Sequence, residues 1–139
     1  MKTITAIMAA VTMALLLSQC KKDDATNSDF NAHFWTSVEN NDSSALSLYI
    51  NNVYKGELPY LASNPACGNA DSITLSLTLP SGTYQLAAKD KQGITRTSSS
   101  FKIWKNNEET GMEVSSIPGY YGGCAVISEG NCVIVNLFY

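Results

Sequence analysis

The sequence predicts an all-β domain, a single antiparallel β-sandwich of about seven strands, and three observations lead there. Short stretches of alternating apolar and polar residues recur every 8 to 12 residues or so, the spacing of strands joined by tight turns. Ser, Thr, Asn and Tyr are abundant while charged residues make up 15% of the chain, a balance that suits half-buried strands better than solvated helices. No stretch reads convincingly as a helix, and no internal repeat is evident. About 119 residues follow Cys20, enough for one domain with one core and too few for two.

The chain opens on a segment that does not belong to the sandwich. Met1 and Lys2 give a short positive start, and Ile4 to Leu17 supply about 14 mostly apolar residues. That length fits a secretory h-region and falls short of the ~20 residues a spanning helix needs. The run ends at Leu17-Ser18-Gln19-Cys20, followed by Lys21-Lys22-Asp23-Asp24.

These residues resemble the lipobox of bacterial lipoproteins, which reads aliphatic, small, small, Cys. Leu17, Ser18 and Cys20 match it. Gln19 departs from the strict enterobacterial pattern, at a position where lipoproteins of Bacteroidota-type bacteria are more permissive. Lys22, Asp23 and Asp24 resemble the lysine-plus-two-acids tag that sends such lipoproteins to the outer face of the outer membrane. The resemblance implies that residues 1–19 are a signal peptide. It further implies that Cys20 carries the acyl chains, palmitate among them, as the new N-terminus, and that the membrane partner is reached through this lipid on the cell surface. It covers the first 24 residues and says nothing of the domain.

Residues 21 to 29 carry no apolar side chain larger than Ala, so nothing there offsets the entropy of ordering, and residues 20–29 read as a lipidated cysteine and tether. The domain is expected over 30–139. Phe34 to Val38 alternates as a strand, and Glu39 to Ser44 is a loop by composition. Leu46, Leu48 and Ile50 alternate with Ser47 and Tyr49, then Asn51-Asn52 supply the positive φ of a tight hairpin turn before Val53 to Leu58 returns. Ala62 to Asp71 is a loop. Ile73, Leu75, Leu77 and Leu79 face one way and Thr74, Ser76 and Thr78 the other, so one face is buried and one is wet. Pro80-Ser81-Gly82 turns the chain into Thr83 to Ala88, and Asp90 to Gly93 turns it again into the hydroxyl-rich strand Ile94 to Ile103. Trp104 to Gly111 is a polar loop, Met112 to Ile117 a short strand, Tyr120 to Gly123 irregular, and Cys132 to Tyr139 a β-branched and aromatic final strand.

Two of these hairpins resemble known modules. Strand, Asn-Asn turn, aromatic, Lys-Gly and Leu-Pro is similar to the hairpin of small Ig-like and PEGA-like domains. Leu79 to Gly93 resembles the hairpin with Pro, Gly and Tyr that is common in Ig-like and transthyretin-like bacterial modules. There the Tyr packs beside its turn, which implies a structural role for Tyr84.

With Cys20 taken by lipid, Cys67, Cys124 and Cys132 remain, an odd number in an oxidising envelope. Joining Cys124 to Cys132 closes a 9-residue loop and would contribute ~2.5 kcal/mol, whereas Cys67 to either partner closes about 60 residues for ~4 kcal/mol but needs distant loops to meet. The first pairing is favoured and the other two stay open. No metal site is expected, because there is no CxxC and the single histidine, His33, sits beside Phe34 and Trp35 at a surface or core edge.

Removing Lys2 leaves 8 basic residues against 12 acidic ones, and no basic run follows Lys21-Lys22, which argues against nucleic acid. GxSxG and Gly-rich phosphate or dinucleotide loops are missing. The acids, Asp71, Asp90, Glu108 and Glu109 among them, lie scattered, so no glycosidase pair is implied. No cofactor and no catalysis is expected, and a small hydrolase is a distant third reading. The leading expectation is a non-catalytic binding or adhesion module that takes a glycan or a protein ligand, a host protein included. It uses Trp104, Tyr120 and Tyr121, large rigid faces on loops, with Trp35 near the domain start. The alternative is an architectural or accessory subunit docked to another envelope protein by a sheet edge, with Ile94 to Phe101 as the candidate edge.

Overall fold

Phe30, Ala32 and Phe34 place one face of the first strand, β1 (Asp29–Ser37), wholly inside the core. A 3-10 turn, Val38–Asn40, ends it. The computed structural model that shows this describes residues 28–40, 45–107, 109–120 and 122–139. Cys20, Lys22, Asp23, Asp24 and Tyr121 lie outside the described residues.

The Asn-Asn turn forms as the sequence predicts. Asn51 and Asn52 take φ of 50° and 65° between β2 (Ser47–Ile50) and β3 (Val53–Glu57), the positive values that a two-residue hairpin with the native strand twist requires. Leu46, Leu48 and Ile50 are buried. A two-residue β4 (Tyr60–Leu61) follows, then residues 62–74, which contain one helical turn, α1 (Ala70–Ile73). Ile73 therefore does not start a strand. It is exposed on α1, and β5 (Leu75–Pro80) begins two residues later. In β5 the expected alternation holds: Leu79 is buried, Leu75 and Leu77 pack half-buried against the core, and Ser76 and Thr78 face solvent.

β6 (Gly82–Lys89) and β7 (Thr95–Asn106) pair antiparallel, and the Tyr84 hydroxyl donates to Pro80 O at 2.6 Å, closing the Pro-Ser-Gly turn as the resemblance implies. β8 (Glu109–Ser116), β9 (Gly123–Glu129) and β10 (Cys132–Phe138) complete the chain.

The strands make a sandwich of two five-stranded sheets, ten strands rather than about seven. One sheet runs β4-β1-β10-β9, with β5 on the other half of the β1 edge that β4 occupies. The other runs β3-β2-β6-β7-β8. It is not purely antiparallel, because β1 pairs parallel with both β10 and β4. The first and last strands of the domain lie side by side without a connection of their own, so nothing forces them antiparallel. The largest buried side chains, Phe30, Phe34 and Phe101 with Leu48, Leu86 and Leu137, fill the space between the sheets.

Two edges are closed by side chains. A Cβ at Gly56 on β3 would meet the Leu75 methyls of β5, and Thr110 of β8 donates to Gly130 O beyond β9 at 2.6 Å. The hydroxyl-rich middle of the stretch Ile94 to Phe101 is buried, and from Ser99 onward β7 is paired on both sides. β7 is flanked by β6 and β8, and Thr97, Ser98 and Ser99 are buried. The Ser98 hydroxyl donates to Leu86 O at 3.1 Å. The edge-docking role for Ile94 to Phe101 is thereby corrected.

Candidate functional site

Strand direction gives the sandwich two unlike ends. β1 runs from Asp29 at one end to Ser37 at the other; β10 runs the same way by its parallel pairing, and β6 and β8 do so by the tight turn that joins antiparallel β5 to β6 and by the Thr110 bond to Gly130 O at the end of β9. Ser28 O accepts from Ser81 N at 3.0 Å, so the chain enters the domain beside the Pro80-Ser81-Gly82 turn. Asn107, between β7 and β8, and the turn at residues 129–131 lie at this entry end. Residues 38–40, 90–94, 117–120 and 122 and the last residues, Phe138 and Tyr139, lie at the opposite, distal end.

A hydrogen-bonded frame fixes the distal end. The buried carboxylate of Asp90 accepts the N–H groups of Gln92 and Ile94, both at 2.9 Å, and the Arg96 guanidinium at 2.8 Å. Burial alone would push this carboxyl up. The Ile94 and Gln92 N–H groups and Arg96 outweigh it and hold the group below the usual carboxylate range. The guanidinium also lies 5.9 Å from the centre of the Tyr139 ring, and the Tyr139 hydroxyl donates to Asn40 O at 2.7 Å. Asn40 in turn donates to Thr36 Oγ1 at 3.1 Å, which donates to Leu137 O at 2.7 Å. Three chain segments, 36–40, 90–96 and 137–139, are tied together in this way.

At this end stand Val38, Ile94, Tyr120 and Phe138, each between 40% and 56% exposed. They are four of the nine large apolar side chains exposed among the described residues, and each comes from a different segment. The glycines beside them are fixed by contact: a Cβ on Gly122 would collide with Phe138 O and the Thr97 side chain, and one on Gly123 would press on the Phe138 ring at 3.2 Å.

The aromatic surface expected from the sequence is not assembled. Trp104 is in β7 rather than a loop, opposite Gly111, and its indole occupies the place a Gly111 Cβ would take. Lys102 Nζ stands 5.2 Å from the ring centre. The ring is thus half-buried over the sheet near the entry end. Tyr120 lies past the far end of β8, whose continuation bonds Ile117 N to Ser98 O at 3.4 Å. Ser98 and Trp104 are six residues apart on one strand, about 20 Å at 3.3 Å per residue. The reasoning from spacing failed because Trp104 sits inside the hairpin it was taken to precede. Trp35 is buried.

The disulfide is also corrected: it joins Cys67 to Cys132, and Cys124 is a free thiol. In the β9–β10 register Cys124 lies opposite Leu137, five residues from Cys132, and it packs on the core side whereas Cys132 faces outward. About 17 Å of strand and opposite faces of one sheet separate them, far beyond the ~7 Å a bridge tolerates between Cα atoms. Burial pushes the Cys124 thiol up to about 11, with the Ser99 hydroxyl acting the other way.

One cluster carries the residue types of a hydrolase. His33 Nδ1 is 2.8 Å from Ser76 Oγ, 3.3 Å from Thr74 Oγ1 and 3.7 Å from Asp71 Oδ1. All three converge on a single ring nitrogen, whereas a relay needs the nucleophile on one nitrogen and the acid on the other. Asp71 is 87% exposed, so it cannot act as a buried orienting acid. Asp71 and Asp90 lie on different elements, Asp90 is committed to its turn, and Glu108 is outside the described residues. Among the described residues no group of three His, Cys, Asp or Glu side chains is placed to hold a metal ion, and no helix is long and apolar enough to cross a membrane.

Sequence reasoning missed Val38, Ile94 and Phe138. The parity of Val133, Val135 and Leu137 signals that Phe138 points away from the core, and Ile94 directly follows a turn glycine. Both cues were legible. No family model, no curated protein and no solved structure matches the chain.

Proposed function

We propose that the protein is a surface lipoprotein, anchored through Cys20 and exported by Lys22-Asp23-Asp24, whose sandwich is a non-catalytic binding module for another protein. The observation that carries the binding role is the distal end: Val38, Ile94 and Phe138 project from a frame that Asp90, Arg96, Tyr139 and Asn40 hold rigid, and Tyr120 is exposed at the same end. A rigid frame lowers the entropy cost of association. The entry end, where a lipid tether would arrive, is the other pole.

A protein fits this surface better than a glycan. Sugar recognition by stacking wants flat aromatic faces grouped together, and Trp104 and Tyr120 are about one strand length apart. Two of the four distal side chains are aliphatic, which offer desolvation but no match for a hydroxyl-rich ligand. The accessory-subunit reading survives in altered form, with the distal end rather than β7 as the docking surface. Hydrolase chemistry gains no support from the His33 cluster.

The test is photo-crosslinking in intact cells from an unnatural residue at Ile94, with the same residue at Asn107, at the entry end, for comparison. The reading expects a discrete protein adduct from Ile94 only, lost when Val38 and Phe138 are changed to serine. Adducts from Asn107 alone, or from neither position, overturn it.

A further inference from the structure

The outer face of the first sheet is covered over part of β1 and β10. His33 and Trp35 on β1 and Ile134 on β10 point away from the sandwich core, yet each is at least 97% buried. The covering segment is residues 62–74. It leaves β4 beside Ser37, reaches Cys132 through Cys67, and returns to His33 through Thr74 and Asp71. Its path therefore brackets all three side chains.

The attachment of this segment is uneven. Among the described residues its hydrogen bonds are local, Asn69 N to Ala66 O, Ser72 to Asn69 O, and Thr74 N and Oγ1 to Ala70 O, except at its last residue, where Thr74 Oγ1 also lies 3.3 Å from His33 Nδ1 and 3.2 Å from Ser76 Oγ. Beyond these it has two buried residues, Pro65 and Ala70, the contacts at His33 and the disulfide. It contributes nothing to either strand ladder. Beneath it, Trp35 Nε1 and Asn136 Oδ1, neighbours in the β1–β10 register, are buried with no hydrogen-bond partner. Uncovering them would return both to water, and a freed 13-residue loop would regain chain entropy. The covalent link opposes both tendencies.

We propose that residues 62–74 are a redox-released strap: reduction of Cys67–Cys132 by a dithiol lifts it and uncovers Trp35 and Ile134 while both sheets stay folded. Both cysteines are partly exposed, so a thiolate can reach the bond. One thiolate of the dithiol attacks a cysteine sulfur, the S–S bond breaks, and the other cysteine leaves as a thiolate and takes up a proton. The second thiol of the reductant then displaces the first cysteine. Two electrons pass from the dithiol, which ends as its own disulfide, and Cys67 and Cys132 end as thiols. Cys124 stands on the other face of the sheet and takes no part. Lifting the strap would join Trp35 and Ile134 to Ile127, the already exposed partner of Ile134 on β9. The inference stands independently of the anchor and of the distal end.

The test uses the full chain with Trp104→Phe, which leaves Trp35 the one tryptophan of the two in the sequence. Dithiothreitol is added without denaturant, and acrylamide quenching, thiol alkylation and far-ultraviolet circular dichroism are followed together. The expectation is a several-fold rise in quenching of Trp35 as two new thiols alkylate, with the strand signal unchanged and Cys124 still unreactive. A Cys67→Ser, Cys132→Ser variant should behave like the reduced protein. Unchanged quenching after both cysteines alkylate overturns the proposal, as does resistance of the bond to excess dithiol. Simultaneous exposure of Cys124 also overturns it, because the disulfide would then be holding the whole sandwich.

Discussion

Shaving β5 one side chain at a time tests the sheet assignment, because its residues differ in cover while sharing one strand. Leu79 is 7% exposed and packs in the core. A fully buried Leu→Ala change costs 2 to 5 kcal/mol, so Leu79→Ala should cost about 3 kcal/mol. Leu77 is half-buried on a strand that pairs only with β1, so it loses about half the contact and Leu77→Ala should cost ~1.5 kcal/mol. Ser76→Ala removes the 2.8 Å contact to His33 Nδ1, but Thr74 Oγ1 remains 3.3 Å from the same nitrogen, so the loss should stay near ~0.5 kcal/mol. Urea unfolding with a common slope reads these directly, and at this size each kcal/mol moves Tm by about 4 °C. A Ser76→Ala cost equal to or above that of Leu77→Ala would refute the reasoning, since it would mean that the polar face of β5 is the buried one.

Cys20→Ser should abolish acylation and leave the protein soluble or uncleaved, read by membrane fractionation and palmitate labelling. Changing Lys22, Asp23 and Asp24 to alanine should keep acylation while lowering exposure to added protease. For Asp90, the folded carboxyl titrates below its ordinary value near 3.8, so the unfolded state takes up the proton first. Its stabilisation is complete above that value and is lost as pH falls toward the folded value. The stability gap between the wild type and Asp90→Asn should accordingly narrow below about pH 4, and a gap independent of pH would contradict the role given to it. Cys124, with its thiol pushed up to about 11, should alkylate in the native protein at pH 8 far more slowly than an exposed cysteine. Fast labelling would place it outside the core.

The parts of the fold that were legible are those written locally. Asn51-Asn52 forced its turn, the Leu75, Leu77 and Leu79 pattern faced the core as read, and Tyr84 closed the Pro-Ser-Gly turn. What stayed hidden depended on pairing between distant residues. The parallel partnership of β1 with β10 leaves no mark in either strand. Without it, neither the two unlike ends nor the proximity of Cys67 to Cys132 follows, and the shorter loop looked the better disulfide. β9 was missed because Gly123-Cys124 follows an irregular stretch, although Glu129-Gly130-Asn131 carries a turn signal and Gly130 takes φ of 58°. The hydroxyls of β7 misled for a physical reason. Thr97, Ser98 and Ser99 are small side chains on an inner strand and are buried there, so polarity did not mean exposure.

The account rests most directly on the chain entering at one end while the apolar side chains project from the other. Spin labels placed at Asp29 and Ile94 in the purified protein measure this in one distance. Eight residue steps of β1 at about 3.3 Å each predict a separation of no less than about 25 Å. A distance under about 15 Å would put both positions at the same end and contradict the account.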